Sequence, residues 1–118
     1  MHLIKPISSF DIEIDAPCPK SEAQRAIALA LCISGKTTIS GLSECNDIKI
    51  AIEIIKKCGA VINLNHTKLD INSKGILLKK NTVIDSQESG LSCRMFTSLI
   101  ASQKMPFQIE GSGSLLKR

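Results

Sequence analysis

Two stretches of this chain repeat one design, and a repeat of that length restricts the fold to a supersecondary unit used more than once. Pro19-Lys20-Ser21-x-x-x-Arg25 opens an Ala/Ile/Leu-rich run that closes on Thr37-Thr38-Ile39-Ser40-Gly41. About seventy residues later, Ser89-Gly90-x-x-x-Arg94 opens a second apolar run, which closes on Phe107-Gln108-Ile109-Glu110-Gly111. In both copies a small residue precedes an arginine by four, and a strand-like segment ending in glycine follows.

Local patterns fill in the rest. Phe10-Asp11-Ile12-Glu13-Ile14-Asp15 alternates apolar and acidic residues, the period of a half-buried strand. Ala16-Pro17-Cys18-Pro19 breaks it, because proline cannot extend a ladder. A helix is expected from Ser21, where Ser21-Glu22-Ala23-Gln24 fits a capping box and Ala26, Ile27, Ala30, Leu31 and Ile33 form an apolar stripe. Ser34-Gly35 ends it, and 37–40 reads as a strand. A second helix is expected from Asn46 or Asp47, both good caps, with Gly59 just past its end. Residues 60–64 and 68–72 read as a hairpin, and 76–78 and 82–84 as short strands. A helix over 90–102 and a strand over 106–110 complete the prediction. The order is strand, helix, strand, helix, strand, strand, then a restart, so the expected class is α/β built from βαβαββ units, one unit plus part of a second. The expected divisions are 1–18 (first strand and crossover), 19–88 (first unit) and 89–118 (start of the second, which stops before its second helix). No linker separates the copies, so they are expected to pack together.

Composition narrows the function. The chain has 118 residues, enough for one ordinary domain, and only three aromatic residues, all Phe. The core must therefore be aliphatic, and the stacking platforms of single-strand nucleic-acid binders are missing. A net charge of +4 suits a small anionic ligand without requiring a polyanion. Five scattered cysteines without a Cys-x-x-Cys, and two histidines away from ligand spacing, argue against a metal site or a disulfide framework. The expected compartment is the reducing cytoplasm. Met1 to Phe10 lack a basic n-region and a long apolar run, and no stretch is long enough to span a bilayer.

The chemistry sits at the two helix starts. A helix N-terminus offers unpaired N–H groups and the positive end of the dipole. Lys20 and Ser21 add an ammonium and a hydroxyl there, and Arg25 lies one turn on along the same face. Together they suit a phosphate or carboxylate. The plainer account is that Ser21 only caps, Gln24 completes the box, and Lys20 and Arg25 are solvated. Gly90 lets a ligand approach the second helix start closely, with Arg94 supporting it. Its plainer account is a turn glycine and an exposed arginine. Two such starts in adjacent repeats favour one cleft for two small anions or one large one.

These residues also carry a family resemblance. Pro17-Cys18-Pro19-Lys20-Ser21-x-x-x-Arg25 resembles the Pro-Gly-Ser-Lys-Ser-x-x-x-Arg segment of 5-enolpyruvylshikimate-3-phosphate synthases. Asn46-Asp47 is similar to that family's Asp-Asp, Ser89-Gly90-Leu91-Ser92-Cys93-Arg94 to its Ala-Gly-Thr-x-x-Arg, and Leu116-Lys117-Arg118 to the approach to its phosphoenolpyruvate-binding arginine. The resemblance implies that Lys20, Ser21 and Arg25 bind shikimate 3-phosphate, and that Lys20, Gly90 and Arg118 line the phosphoenolpyruvate pocket. It implies transfer of the carboxyvinyl group to the 5-hydroxyl with release of phosphate, with no metal or organic cofactor, in aromatic amino-acid biosynthesis. It also implies a two-domain, monomeric parent enzyme whose acid/base residues match nothing in this chain. On that basis the 118 residues alone are expected to be inactive, and the unpartnered apolar faces of the second repeat are expected to leave them poorly stable or prone to associate.

The chain departs from the family pattern at several points. Cys18-Pro19 replaces Gly-Ser, which stiffens the loop and removes a hydroxyl. Glu88 stands in place of Asn, and a carboxylate there repels an anionic substrate unless it turns away or pairs with a cation. Leu91 replaces Thr, and Met95 replaces Pro. Three other readings stay open. The sister enzyme acting on UDP-N-acetylglucosamine usually has Asn at the position of Ser21. A non-catalytic anion-binding module needs nothing beyond these residues. A small RNA-binding α/β domain would need a basic face and more aromatics.

Overall fold

Helical spacing of apolar residues sets the three helices of the computed structural model, which describes residues 3–117. Helix α1 (Lys20–Cys32) is rich in strong helix formers and buries Ala23, Ile27, Ala28, Ala30 and Leu31. Helix α2 (Asn46–Lys57) buries five isoleucines and Ala51, and holds Lys56 and Lys57 in its last turn, where the dipole favours cations. Gly59 follows with φ +94°, a conformation that favours glycine, while the Ala60 N–H donates to the Ile55 carbonyl at 3.0 Å and closes the helix end. Helix α3 (Gly90–Ala101) buries Ser92, Phe96 and Ile100.

The strands form two sheets. β1 (Gly35–Ile39), β2 (Val61–Asn65) and β3 (Lys68–Ser73) make an antiparallel sheet in the order β1-β3-β2, with Thr37 opposite Ile71 and Ile62 opposite the same residue. The β2–β3 hairpin turns at Asn65-His66-Thr67 as the sequence predicts, with His66 at φ +49°. β4 (Thr82–Asp85) and β5 (Phe107–Glu110) pair in parallel through α3, with Ile84 opposite Ile109. A short 3₁₀ turn, Gly113–Lys117, follows. One apolar cluster joins both halves: Ile27, Leu31, Ile54, Ile55, Leu69 and Ile71 lie in it together with Ile84, Phe96 and Ile100. The segments on either side of residue 88 thus pack into one core.

Three local expectations are overturned. Residues 10–15 form no strand, and Ile12 and Ile14 are 69% and 80% exposed. A strand exists only against a partner, and none of the described residues pairs with this segment. Residues 76–78 form none either; the Leu77 N–H donates to the Cys58 carbonyl (2.8 Å) at the end of α2 instead of to a ladder. Neither helix start uses the expected side-chain cap. Pro19 and Cys45 occupy the N-cap positions of α1 and α2 without a side-chain bond.

Cys58 gives the fold a pH signature. It is fully buried, and burial, with a smaller contribution from the charge of Cys32, pushes its thiol up to about 11 from an ordinary 9.0. Below pH 9 the thiol is protonated in both folded and unfolded chains. Between pH 9 and 11 the unfolded chain loses that proton while the folded chain keeps it, so stability falls across this window. The urea midpoint is expected to drop from pH 9 to 11, and less steeply in Cys58→Ala. An equal slope in the two proteins would refute the assignment.

Candidate functional site

The first turns of all three helices meet. Lys20 opens α1, and its Nζ lies 2.6 Å from Asp47 Oδ2 in the first turn of α2. The hydrogen bond to the Asp47 carboxylate, and then its charge, raise the Lys20 ammonium above the usual 10.5, against a small opposing effect of desolvation. It therefore carries its charge throughout the neutral range. Asn46 Nδ2 approaches Gln87 Oε1 at 3.5 Å, which ties the start of α2 to the loop before α3.

Gln24 connects α1 to α3. Its side chain is fully buried, and Nε2 donates to Ser92 Oγ at 2.8 Å and Ser89 Oγ at 3.0 Å, and lies 3.5 Å from the Asp47 carbonyl. Ser89 is the N-cap of α3 and accepts from the Ser92 N–H at 3.4 Å. Gln24 Oε1 is buried without a hydrogen bond among the described residues, an arrangement that costs about 1–3 kcal/mol.

The capping box expected at 21–24 is therefore absent. The helix starts two residues earlier than a Ser21 cap requires, with the Pro19 carbonyl accepting from the Glu22 and Ala23 N–H groups at 3.0 and 3.1 Å. Ser21 is already helical, so its N–H and that of Lys20 have no intrahelical acceptor. Gln24 then faces inward, on the stripe of Ile27, Ala28 and Leu31. A polar residue at i−3 and i−4 from buried apolar ones was the signal that distinguishes it from a cap member.

Of the predicted site residues, Lys20 and Gly90 are brought to the same junction, Lys20 through Asp47 and Gly90 through its neighbour Ser89. Ser21, Arg25 and Arg94 are exposed, and their side chains make no hydrogen bond or ion pair among the described residues. Arg118 lies outside the described residues. Glu88, which the sequence leaves as a problem for an anion site, accepts a 2.7 Å bond from the Ser114 hydroxyl and packs against Gly113 in the 3₁₀ turn. The loop after β4 and the turn after β5 are laced by Ser86 N–H to Glu110 O and Ser112 N–H to Gln87 O, both 2.8 Å. Asp47, Ser89 and Ser92 are the structural partners that sequence reasoning missed.

The fold and this junction define a mixed α/β protein with a candidate anion site at gathered helix starts. Residues 4–118 match the family model described as EPSP synthase (3-phosphoshikimate 1-carboxyvinyltransferase). The chain belongs to the EPSP synthase family. A 3-phosphoshikimate 1-carboxyvinyltransferase of Ruthia magnifica is 31% identical over 118 residues, covering 98% of this chain and 27% of the relative. One from Clostridium perfringens is 39% identical over 108 residues, covering 89% and 25%. In three dimensions the chain is similar to an EPSP synthase from Acinetobacter baumannii with a TM-score of 0.80 at 24% identity, over 89% of this chain and 24% of that one. The chain thus spans about a quarter of the length of the curated relatives it matches.

Proposed function

We propose that this chain supplies the shikimate 3-phosphate end of a site that transfers the enolpyruvyl group of phosphoenolpyruvate to the 5-hydroxyl of shikimate 3-phosphate. The reaction forms a C–O bond between that hydroxyl and C2 of phosphoenolpyruvate through a tetrahedral adduct; the C–O bond to phosphate then breaks and inorganic phosphate leaves. The observation that carries the reading is the charged Lys20 at an α1 start whose Lys20 and Ser21 N–H groups have no intrahelical acceptor. Lys20, Ser21 and Arg25 bind shikimate 3-phosphate by charge-assisted bonds, and Lys20 also touches phosphoenolpyruvate. Gly90 admits phosphoenolpyruvate close to the α3 backbone, Arg118 pairs with it, and Arg94 supports that side.

In this reading the other three-quarters of the family length supplies the acid/base groups and the partner for residues 1–18, while 19–88 and 89–118 are the first repeat unit and the opening of the second. The exposure of Leu3, Ile4, Phe10 and Ile14, each at least 75%, supports a partner strand outside this chain. By itself the chain is then inactive and prone to associate. The proposed location is the cytoplasm; among the described residues no helix is long and apolar enough to cross a membrane.

Phosphorus NMR tests this on a polypeptide of full family length carrying the chain, mixed with phosphoenolpyruvate and either shikimate 3-phosphate or UDP-N-acetylglucosamine. Inorganic phosphate is expected with shikimate 3-phosphate alone, and none from the 118 residues by themselves. Phosphate only in the nucleotide-sugar tube would transfer the chain to the sister reaction. Phosphate in neither would leave an anion-binding module.

A further inference from the structure

Gln24 sits beside the exposed Arg25, yet its own side chain has no access to solvent. Its amide nitrogen reaches the residue just before Gly90 and the residue two beyond it, at 3.0 and 2.8 Å. One group on α1 therefore grips the first turn of α3 on both sides of the glycine. The third neighbour of Nε2, the Asp47 carbonyl at 3.5 Å, fixes which way the amide points, because a carbonyl oxygen tolerates a nitrogen there and repels an oxygen. An apolar side chain of the same length would fill this space without direction. Hydrogen bonds weaken steeply off axis, so this amide restrains both the rotation and the slide of α3 against α1. The same amide leaves its oxygen buried and unbonded among the described residues, so the contact is held for its nitrogen alone.

We propose that Gln24 is a positioning residue that sets where the Gly90 backbone stands relative to Lys20 and Ser21. The inference rests on the function proposed above, in which those two helix starts hold the two substrates. Gln24 touches neither substrate and acts through Ser89 and Ser92. Reactant misplacement by about 1 Å lowers rates on the order of a hundredfold, so loosening this clamp acts on phosphoenolpyruvate and on turnover. It leaves the shikimate 3-phosphate contacts of α1 intact.

The test uses the full-length polypeptide and the variants Gln24→Met, Ser92→Ala and their combination. Gln24→Met is expected to raise KM for phosphoenolpyruvate about tenfold and lower kcat, with KM for shikimate 3-phosphate within about twofold of wild type. The double variant is expected to be no worse than Gln24→Met, since the Gln24–Ser92 bond that Ser92→Ala removes is already lost in Gln24→Met. Parallel rises in both KM values, additive effects, or no effect would each overturn the proposal. If Gln24→Met does not melt cooperatively, Ser92→Ala carries the same KM comparison with a smaller rise expected. Amide exchange gives a readout without turnover: Gln24→Met is expected to speed exchange at Ser92 and Cys93 and not at Ile54 or Ile55. Unchanged exchange at Ser92 and Cys93 refutes the clamp. Wild-type protein that shows this clamp but releases no phosphate would refute the functional reading instead.

Discussion

Lys20→Ala lowers kcat/KM for shikimate 3-phosphate by about a hundredfold or more, on the proposed function, while the melting temperature moves by less than about 2 °C. The two halves of this result have different origins. A charge-assisted bond from an ammonium to a phosphate is among the stronger polar contacts, and in this reading Lys20 serves both substrates. Its structural partner is Asp47, and with the lysine side chain 54% exposed such a pair adds little to stability. The raised Lys20 ammonium also means that its charge does not change between pH 6 and 9, so no step in the activity profile there belongs to it. Lys20→Arg is not a rescue, because the planar guanidinium is larger and forks where the ammonium is a point charge. Unaltered kcat/KM in Lys20→Ala would remove the lysine from the site, and a collapse of the melting temperature would make its role structural.

Phe96→Ala destabilises the fold by about 3–5 kcal/mol, measured from urea unfolding. Phe96 is the largest fully buried side chain, and the two other phenylalanines, Phe10 and Phe107, are exposed and half-buried. It lies in the cluster with Ile84 and Ile100, at the place where α3 joins the core built by α1 and α2. Truncation leaves a cavity there that aliphatic neighbours fill only partly. Domains of this kind are stable by roughly 5–15 kcal/mol, so the variant loses a large share of the whole. Because α3 carries Gly90, its docking and the candidate site fail together. A loss below about 1 kcal/mol would show that α3 packs independently of that core.

The helices and the hairpin at 65–67 were legible in the sequence because short-range contacts specify them, and the strand at 107–110 held because its parallel partner at 82–85 lies within the described residues. Apolar residues at three- and four-residue spacing, Gly59 past a helix end and lysines in the last turn act within one or two turns of the chain. The motif residues Lys20 and Gly90 were legible for the same reason, as each marks a helix start. The strand expected at 10–15 failed where that logic stops. Its alternation is real, but a strand is made by a second strand, and none of the described residues provides one. Gln24 failed in the same way: Ser21 and Glu22 nearby suggested a local cap, whereas its partners stand 65 and 68 residues further along. The sequence by itself determined which segments are helical and which charged residues begin them. Only the tertiary structure decided that the three helix starts meet, that Lys20 pairs with Asp47 and that Gln24 holds α3, because those contacts join residues that nothing but the folded core brings together.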